Sequence, residues 1–226
     1  MRPEFGIGVF ACVMLFFTLG LLFSVPQGRT ITLTEQQPPM VVHDRVYEPL
    51  PESRSVMIYG VGIYQNESDG ELIGLNVSLV AGEGSLFIDS TFHVLGTDLQ
   101  AAMLDAIGYA YEYTGFDFNG YDVRLSLESS AYEVGGASGG AALALAAIAL
   151  AENKSVRHDV VISGELGPGG AIGPVDKLDA KIGAATHFNI TSFLIPEQQC
   201  NTTNKNVPIQ IICVGTVEEA IPYVLY

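Results

Sequence analysis

One serine stands among four glycines in Gly135-Gly136-Ala137-Ser138-Gly139-Gly140, and the chain runs from there into an apolar stretch, residues 141–151. A Gly-rich turn followed by an Ala/Leu-rich run predicts a loop opening a helix, with Ser138 at its N-terminus. That place suits a nucleophile. Glycines let a substrate backbone approach closely, and the first N–H groups of a helix lack intrahelical acceptors and favour negative charge. The same residues also read as a plain helix cap, for which serine is a preferred residue. A third reading makes 134–151 a membrane span, since it has no charge and Gly135/Gly139 and Gly136/Gly140 are spaced as Gly-x-x-x-Gly pairs. Its alanine content gives that reading little hydrophobic drive.

The segment downstream separates these readings. A strand over 159–162 ends in Ser163-Gly164-Glu165, a hairpin turn follows at Gly167-Pro168-Gly169-Gly170, and a helix begins at Val175. Lys181 on that helix lies 43 residues after Ser138. In this order the chain resembles the proteolytic domain of Lon proteases, in which a Gly-rich turn bears the nucleophilic serine and a lysine at this spacing is the general base. The resemblance implies that Ser138 is the nucleophile and Lys181 its base. Ser163, where the family has a threonine, would hold the lysine, with Gly136, Ala137 and Gly139 shaping the turn. It implies an α+β fold of small β-sheets packed by helices and assembly as hexameric rings; no metal or other cofactor is expected.

A lysine of ordinary pKa, about 10.4, is protonated at neutral pH and cannot take a proton from serine. Burial disfavours its charged form. Leu178, Ile182 and Ala185 recur at three- and four-residue spacing and mark a buried face, beside which Lys181 falls. Lys177, one turn earlier, would lower that pKa further if it faced Lys181, and would do nothing if solvated.

Two features depart from the family. An acidic residue is expected shortly before the nucleophile; Ala137 stands next to Ser138, and Glu133 is the nearest preceding carboxylate. Asp176-Lys177 replaces the Gly-Gly ahead of the lysine helix. Two rivals to a peptidase therefore stay open: a scaffold that keeps the fold without catalysis, and a self-processing protein that cuts its own tether.

The net charge of −15, with ten Lys and Arg against 25 Asp and Glu, argues against nucleic acid or anionic lipid as partner. No Walker A sequence occurs, so no ATP requirement is expected of this polypeptide. The partner implied is instead a peptide or unfolded protein. After a short tail, 1–4, residues 5–25 form an uncharged run long enough to span a bilayer. A cleaved signal peptide is the alternative, but the run exceeds the usual apolar region and no Ala-x-Ala site closes it. Residues 26–51, rich in Pro, Gln and Thr, read as a tether, and 52–226 as the peptidase domain. Five N-x-S/T sequons, at Asn66, Asn76, Asn153, Asn189 and Asn201, lean toward a single-pass protein of the cell membrane with this domain outside the cytoplasm. Cys200 and Cys213 could close a loop worth about 3 kcal/mol in an oxidising compartment; two buried thiols are the other reading.

The elements that must position the site follow in order. Strands are expected over 56–64, 72–80 and 85–94, then a helix over 97–113 with Leu99, Met103, Ile107 and Ala110 on one face and Gly115 as its stop. A strand over 122–127 leads into the serine turn. After the lysine helix come strands over 192–195 and 209–214 and a closing helix over 216–223. His43, His93, His158 and His187 show no metal-ligand spacing, and the carboxylates form no paired motif.

Overall fold

The structure, a computed structural model, describes residues 53–64, 70–90, 93–131, 133–203 and 206–226. A seven-stranded mixed sheet organises them. Its antiparallel half is built from β1 (Ser53–Ile63), β2 (Gly70–Ala81) and β5 (Tyr121–Glu128), with β3 (Leu86–Ile88) parallel at the edge of β5. Its parallel half comprises β7 (Val160–Ile162), β10 (Ser192–Pro196) and β11 (Gln210–Val214), joined to β1 through β7. The strand order is β11-β10-β7-β1-β2-β5-β3. Two short ribbons complete the strands: β4 (Val94–Leu95) with β6 (Glu133–Val134), and β8 (Glu165–Leu166) with β9 (Ile172–Gly173).

Period-two patterning sets the register of the antiparallel half. Val56 lies opposite Val77 and Ile58 opposite Leu75, while Val77 and Leu79 lie opposite Leu125 and Val123. All seven are buried on one face. That face is covered by α1 (Thr97–Thr114) and α2 (Gly140–Ala151). The parallel strands β7 and β10 are buried at every position, as strands covered on both faces must be. Their second face carries α3 (Leu178–Ala185), which buries Leu178, Ile182 and Ala185 with Val61, Phe193 and Ile195. The chain closes with α4 (Val217–Val224), whose cap Thr216 accepts a hydrogen bond from the Glu219 N–H at 3.2 Å.

All twelve residues of α2 are buried. Seven are alanines, small enough for the sheet and α1 to close on the helix from both sides. This answers the membrane-span reading of 134–151: the segment is a short ribbon strand, a turn and a twelve-residue core helix. Among the described residues no helix is long and apolar enough to cross a membrane. The anchor and tether expected over 5–25 and 26–51 lie outside the described residues.

Other expectations need correction. The small sheets are in fact one large sheet and two ribbons, because the parallel strands join the first hairpin only through crossovers that local sequence patterns do not reveal. The strand over 85–94 is two short strands, with polar Asp89 and Ser90 between them. The helix expected from Val175 begins at Leu178, after a turn at Asp176 and Lys177. The buried stripe of α1 runs through Ala102 and Ala106 as well as Leu99, Met103 and Ala110, leaving Ile107 only half-buried. Gly115 ends that helix in the left-handed region, φ 73°.

Candidate active site

The serine turn is held at both ends. Upstream, β6 pairs with β4, and the Gly96 N–H donates to the Val134 carbonyl at 3.0 Å. Gly136 then takes φ 103°, a conformation closed to most side chains, and turns the chain into a single 3-10 turn, Ala137–Gly139. Ser138 is thus in the turn that immediately precedes α2. Downstream, the Gly164 N–H donates to the Ser138 carbonyl at 2.9 Å and its own carbonyl accepts from the Ala141 N–H at 3.1 Å.

Lys181 reaches this turn from α3. Its Nζ lies 2.8 Å from Ser138 Oγ and 3.1 Å from Ser163 Oγ, donating to both when charged. Lys181 is 7% exposed and Ser163 2%. Burial pushes the lysine down from 10.5 to about 8, against Asp176 and Glu165, whose negative charges favour the ammonium. Lys177, weighed above as a second cation, sits exposed at the start of α3 and is not among the groups that set this shift.

A cavity of about 240 Å³ opens over Ser138 and Lys181. Val61, Ile73, Leu99 and Val134 give it apolar walls, and Gly136, Ala137, Gly139 and Ser163 also line it. A Cβ at Gly139 would meet no heavy atom within 4 Å, so the turn is open on that side. A second cleft of about 780 Å³ shares Gly62, Ile63, Ile73 and Val134–Gly136 with the first and extends it along β6.

The structure therefore brings Ser138, Lys181 and Ser163 together and sets Gly136, Ala137 and Gly139 around them. Cys200 and Cys213 form a disulfide, Cα atoms 5.9 Å apart. Asn153, Asn189 and Asn201 are exposed in turns, whereas Asn76 is half-buried within β2 between Met57 and Ser126. Asn66 lies outside the described residues. His93 Nδ1 is 2.8 Å from the Ala131 carbonyl, and His158 packs edge-on against Tyr59. Among the described residues no group of three His, Cys, Asp or Glu side chains could hold a metal.

Two groups around the site escape a sequence reading. Gly164 was visible only as a strand ending, yet it joins the lysine side to the serine turn. Glu71 on β2 accepts from Tyr64 Oη at 2.9 Å and from the Ser130 N–H and Oγ at 3.0 and 2.6 Å, and its other oxygen accepts from Ser129 Oγ. It clasps the segment leading to β6. An isolated Glu in a strand carries no signal of such a role.

Residues 43–223 match the family described as the Lon protease (S16) C-terminal proteolytic domain. The chain is similar to the Lon protease of Aquifex aeolicus, 27% identical over 165 residues, covering 72% of this chain and 21% of that protein. Similarity extends to Lon protease 1 of Myxococcus xanthus, 28% identical over 154 residues, covering 66% of this chain and 19% of the relative. The Lon protease of Geobacter metallireducens is 30% identical over 132 residues, covering 57% and 16%. The chain spans about a fifth of the length of these curated relatives. With the match covering 43–223, the chain belongs to the family of Lon protease (S16) C-terminal proteolytic domains.

Proposed function

We propose that the protein is a serine endopeptidase in which Ser138 is the nucleophile and Lys181 the general base. The observation that carries this reading is the 2.8 Å contact between Lys181 Nζ and Ser138 Oγ, made by a buried lysine whose pKa falls to about 8. A base poised near neutral pH is what proton abstraction from serine needs. Neutral Lys181 takes the Ser138 proton as Oγ attacks a peptide carbonyl. The resulting ammonium then protonates the leaving amine, and the acyl group stays on Ser138 until water, activated in the same way, releases it. Ser163 Oγ holds Nζ throughout. The N–H groups of the 3-10 turn, including that of Ser138, are the first of a helical turn and are the donors proposed for the oxyanion.

Ala137 motivated a scaffold reading, but an assembled Ser138–Lys181 contact over an open cavity favours catalysis. The substrate proposed is an unfolded segment or peptide threaded along the cleft. The uncharged run 5–25 supports a membrane anchor, while the exposed sequons and the Cys200–Cys213 disulfide support a domain outside the cytoplasm. Hexameric assembly is proposed on the family resemblance, and ATP-independent cleavage on a Ser138–Lys181 acyl transfer that itself consumes no nucleotide.

The test is labelling of the protein with a serine-reactive phosphonate, read by intact mass without ATP. A single adduct on Ser138, lost in Ser138→Ala and Lys181→Ala, is expected. A folded wild-type protein that stays unlabelled from neutral to alkaline pH would return the scaffold reading.

A further inference from the structure

The helix that carries Lys181 starts from an unfavourable backbone. Lys177 has φ 55° and ψ 34°, a left-handed conformation that side chains with a Cβ rarely adopt, and no side chain caps the first turn of α3. A residue is kept in such a conformation when its surroundings over-determine it. The Lys181 N–H bonds to the Lys177 carbonyl at 3.0 Å, so the pose of Lys177 passes directly to the base.

Two residues upstream of this turn the backbone is gripped. Val175 is buried, and one side chain takes both of its backbone polar groups. The Val175 N–H donates to Gln199 Oε1 at 2.9 Å, and Gln199 Nε2 donates to the Val175 carbonyl at 2.8 Å. Gln199 is itself held. It ends a 3-10 turn, Glu197–Gln199, and its carbonyl accepts from Thr203 Oγ1 at 2.7 Å and Thr202 Oγ1 at 3.1 Å. The next residue, Cys200, is bonded to Cys213 on β11.

We propose that Gln199 is a positioning residue for the general base: by gripping the Val175 backbone it fixes the turn at Lys177 and hence the reach of Lys181 to Ser138. The Cys200–Cys213 bond ties this grip to the sheet, so an oxidised pair is part of the assembled site. The proposal rests on the Ser138–Lys181 reading given above. Glu165, Asp176 and Lys177 are the charged groups that line the cavity with Lys181, and a shift of the turn alters their distances to it as well as its burial.

The experiment compares wild type, Gln199→Met and Gln199→Glu, each shown to be folded. Met keeps the side chain's length and loses both hydrogen bonds, while Glu keeps an acceptor for the Val175 N–H. Two readouts are followed against pH: the Lys181 side-chain titration by NMR of isotope-labelled lysine, and kcat and KM on a peptide substrate. In Gln199→Met the Lys181 midpoint is expected to rise by roughly one unit as water reaches it. Its kcat should fall about ten-fold or more from misplacement of the base, with KM little changed. Gln199→Glu should lie between the two, and reduction of intact wild type with dithiothreitol should move the midpoint in the same direction as Met. A folded Gln199→Met with wild-type midpoint and kcat overturns the proposal. If Met prevents folding, the reduced wild type makes the same comparison, and an unmoved midpoint there is equally fatal. An inactive wild type whose Lys181 midpoint still responds to Gln199 would remove the catalytic reading and leave the positioning role standing.

Discussion

The backbone N–H of Gly164 lies 2.9 Å from the carbonyl oxygen of Ser138, so the strand end beside the lysine's partner Ser163 is hydrogen-bonded directly to the Ser138 turn. Gly164 has no room for a side chain. A Cβ there would lie 2.3 Å from Ile172 Cγ2, a buried atom, and 3.5 Å from Ala141 Cβ. Gly164→Ala should therefore force the strand end away from Ile172 and strain its hydrogen bond to the Ser138 carbonyl. The expected loss is about 1–3 kcal/mol in urea unfolding, with a disproportionate fall in kcat; equal activity per folded molecule would contradict the coupling.

Lys181 makes a prediction about pH with two opposite faces. Activity needs the neutral amine, so kcat/KM should rise with pH through a midpoint near 8. Stability follows from the same shift. Folded Lys181 titrates at about 8 and the unfolded side chain near 10.5, so the unfolded chain binds more protons in between, and stability rises with pH across that window. Below it the buried charge is destabilising by on the order of 3 kcal/mol. Lys181→Met should be inactive yet more stable than wild type at pH 7 by denaturant unfolding, with the gain shrinking toward pH 10.5. A Met variant less stable than wild type at pH 7 would contradict the burial penalty.

Ser163 is buried and bonded to Lys181 Nζ at 3.1 Å. Ser163→Ala leaves the amine one anchor short and should lower kcat by about ten-fold, with KM little changed. Ser163→Thr restores the hydroxyl and should recover most of the rate. Parallel steady-state kinetics on the three proteins decide it; equal loss in Ala and Thr would mean that packing, not the hydroxyl, matters.

At the mouth of the longer cleft, burial alone would raise the Glu71 carboxyl. Hydrogen bonds from Ser129, Ser130 and Tyr64 outweigh it and hold the group at about 2 rather than 4.5. A depressed carboxylate contributes stability that is present above its unfolded value and lost as pH falls toward its folded value. Wild type should thus lose stability between pH 4.5 and 2 more steeply than Glu71→Gln, read as melting temperature against pH. Parallel curves would show that the clasp contributes nothing.

The proximity of Ser138 and Lys181 was legible in the sequence because its signal is local and ordered. Ser138 sits in a glycine turn, Lys181 on an amphipathic helix, and Ser163 at a strand end between them; the structure draws all three together. Cys200 and Cys213 were ambiguous on sequence, and only the parallel register of β10 and β11, Ile195 beside Cys213, brings them within bonding reach. What stayed hidden depends on distant pairings. Gln199 is a glutamine in a polar stretch until folding sets it against Val175, and Glu71 is an exposed-looking strand residue until the 129–131 segment returns to it. The start of α3 was misplaced because Leu178, Ile182 and Ala185 give its face but not its first residue, and a left-handed Lys177 has no sequence mark.

The twelve wholly covered residues of α2 give the two halves of the site unequal stiffness. Ser138 lies in the turn that leads into this buried helix, so the slowest amide exchange is expected immediately behind it. Lys181 rides on eight residues with exposed Asp179 and Gly183 and an uncapped first turn. The two sides of the site thus differ in what resists their opening: a buried core helix behind Ser138, and on the α3 side the Gln199 grip on Val175.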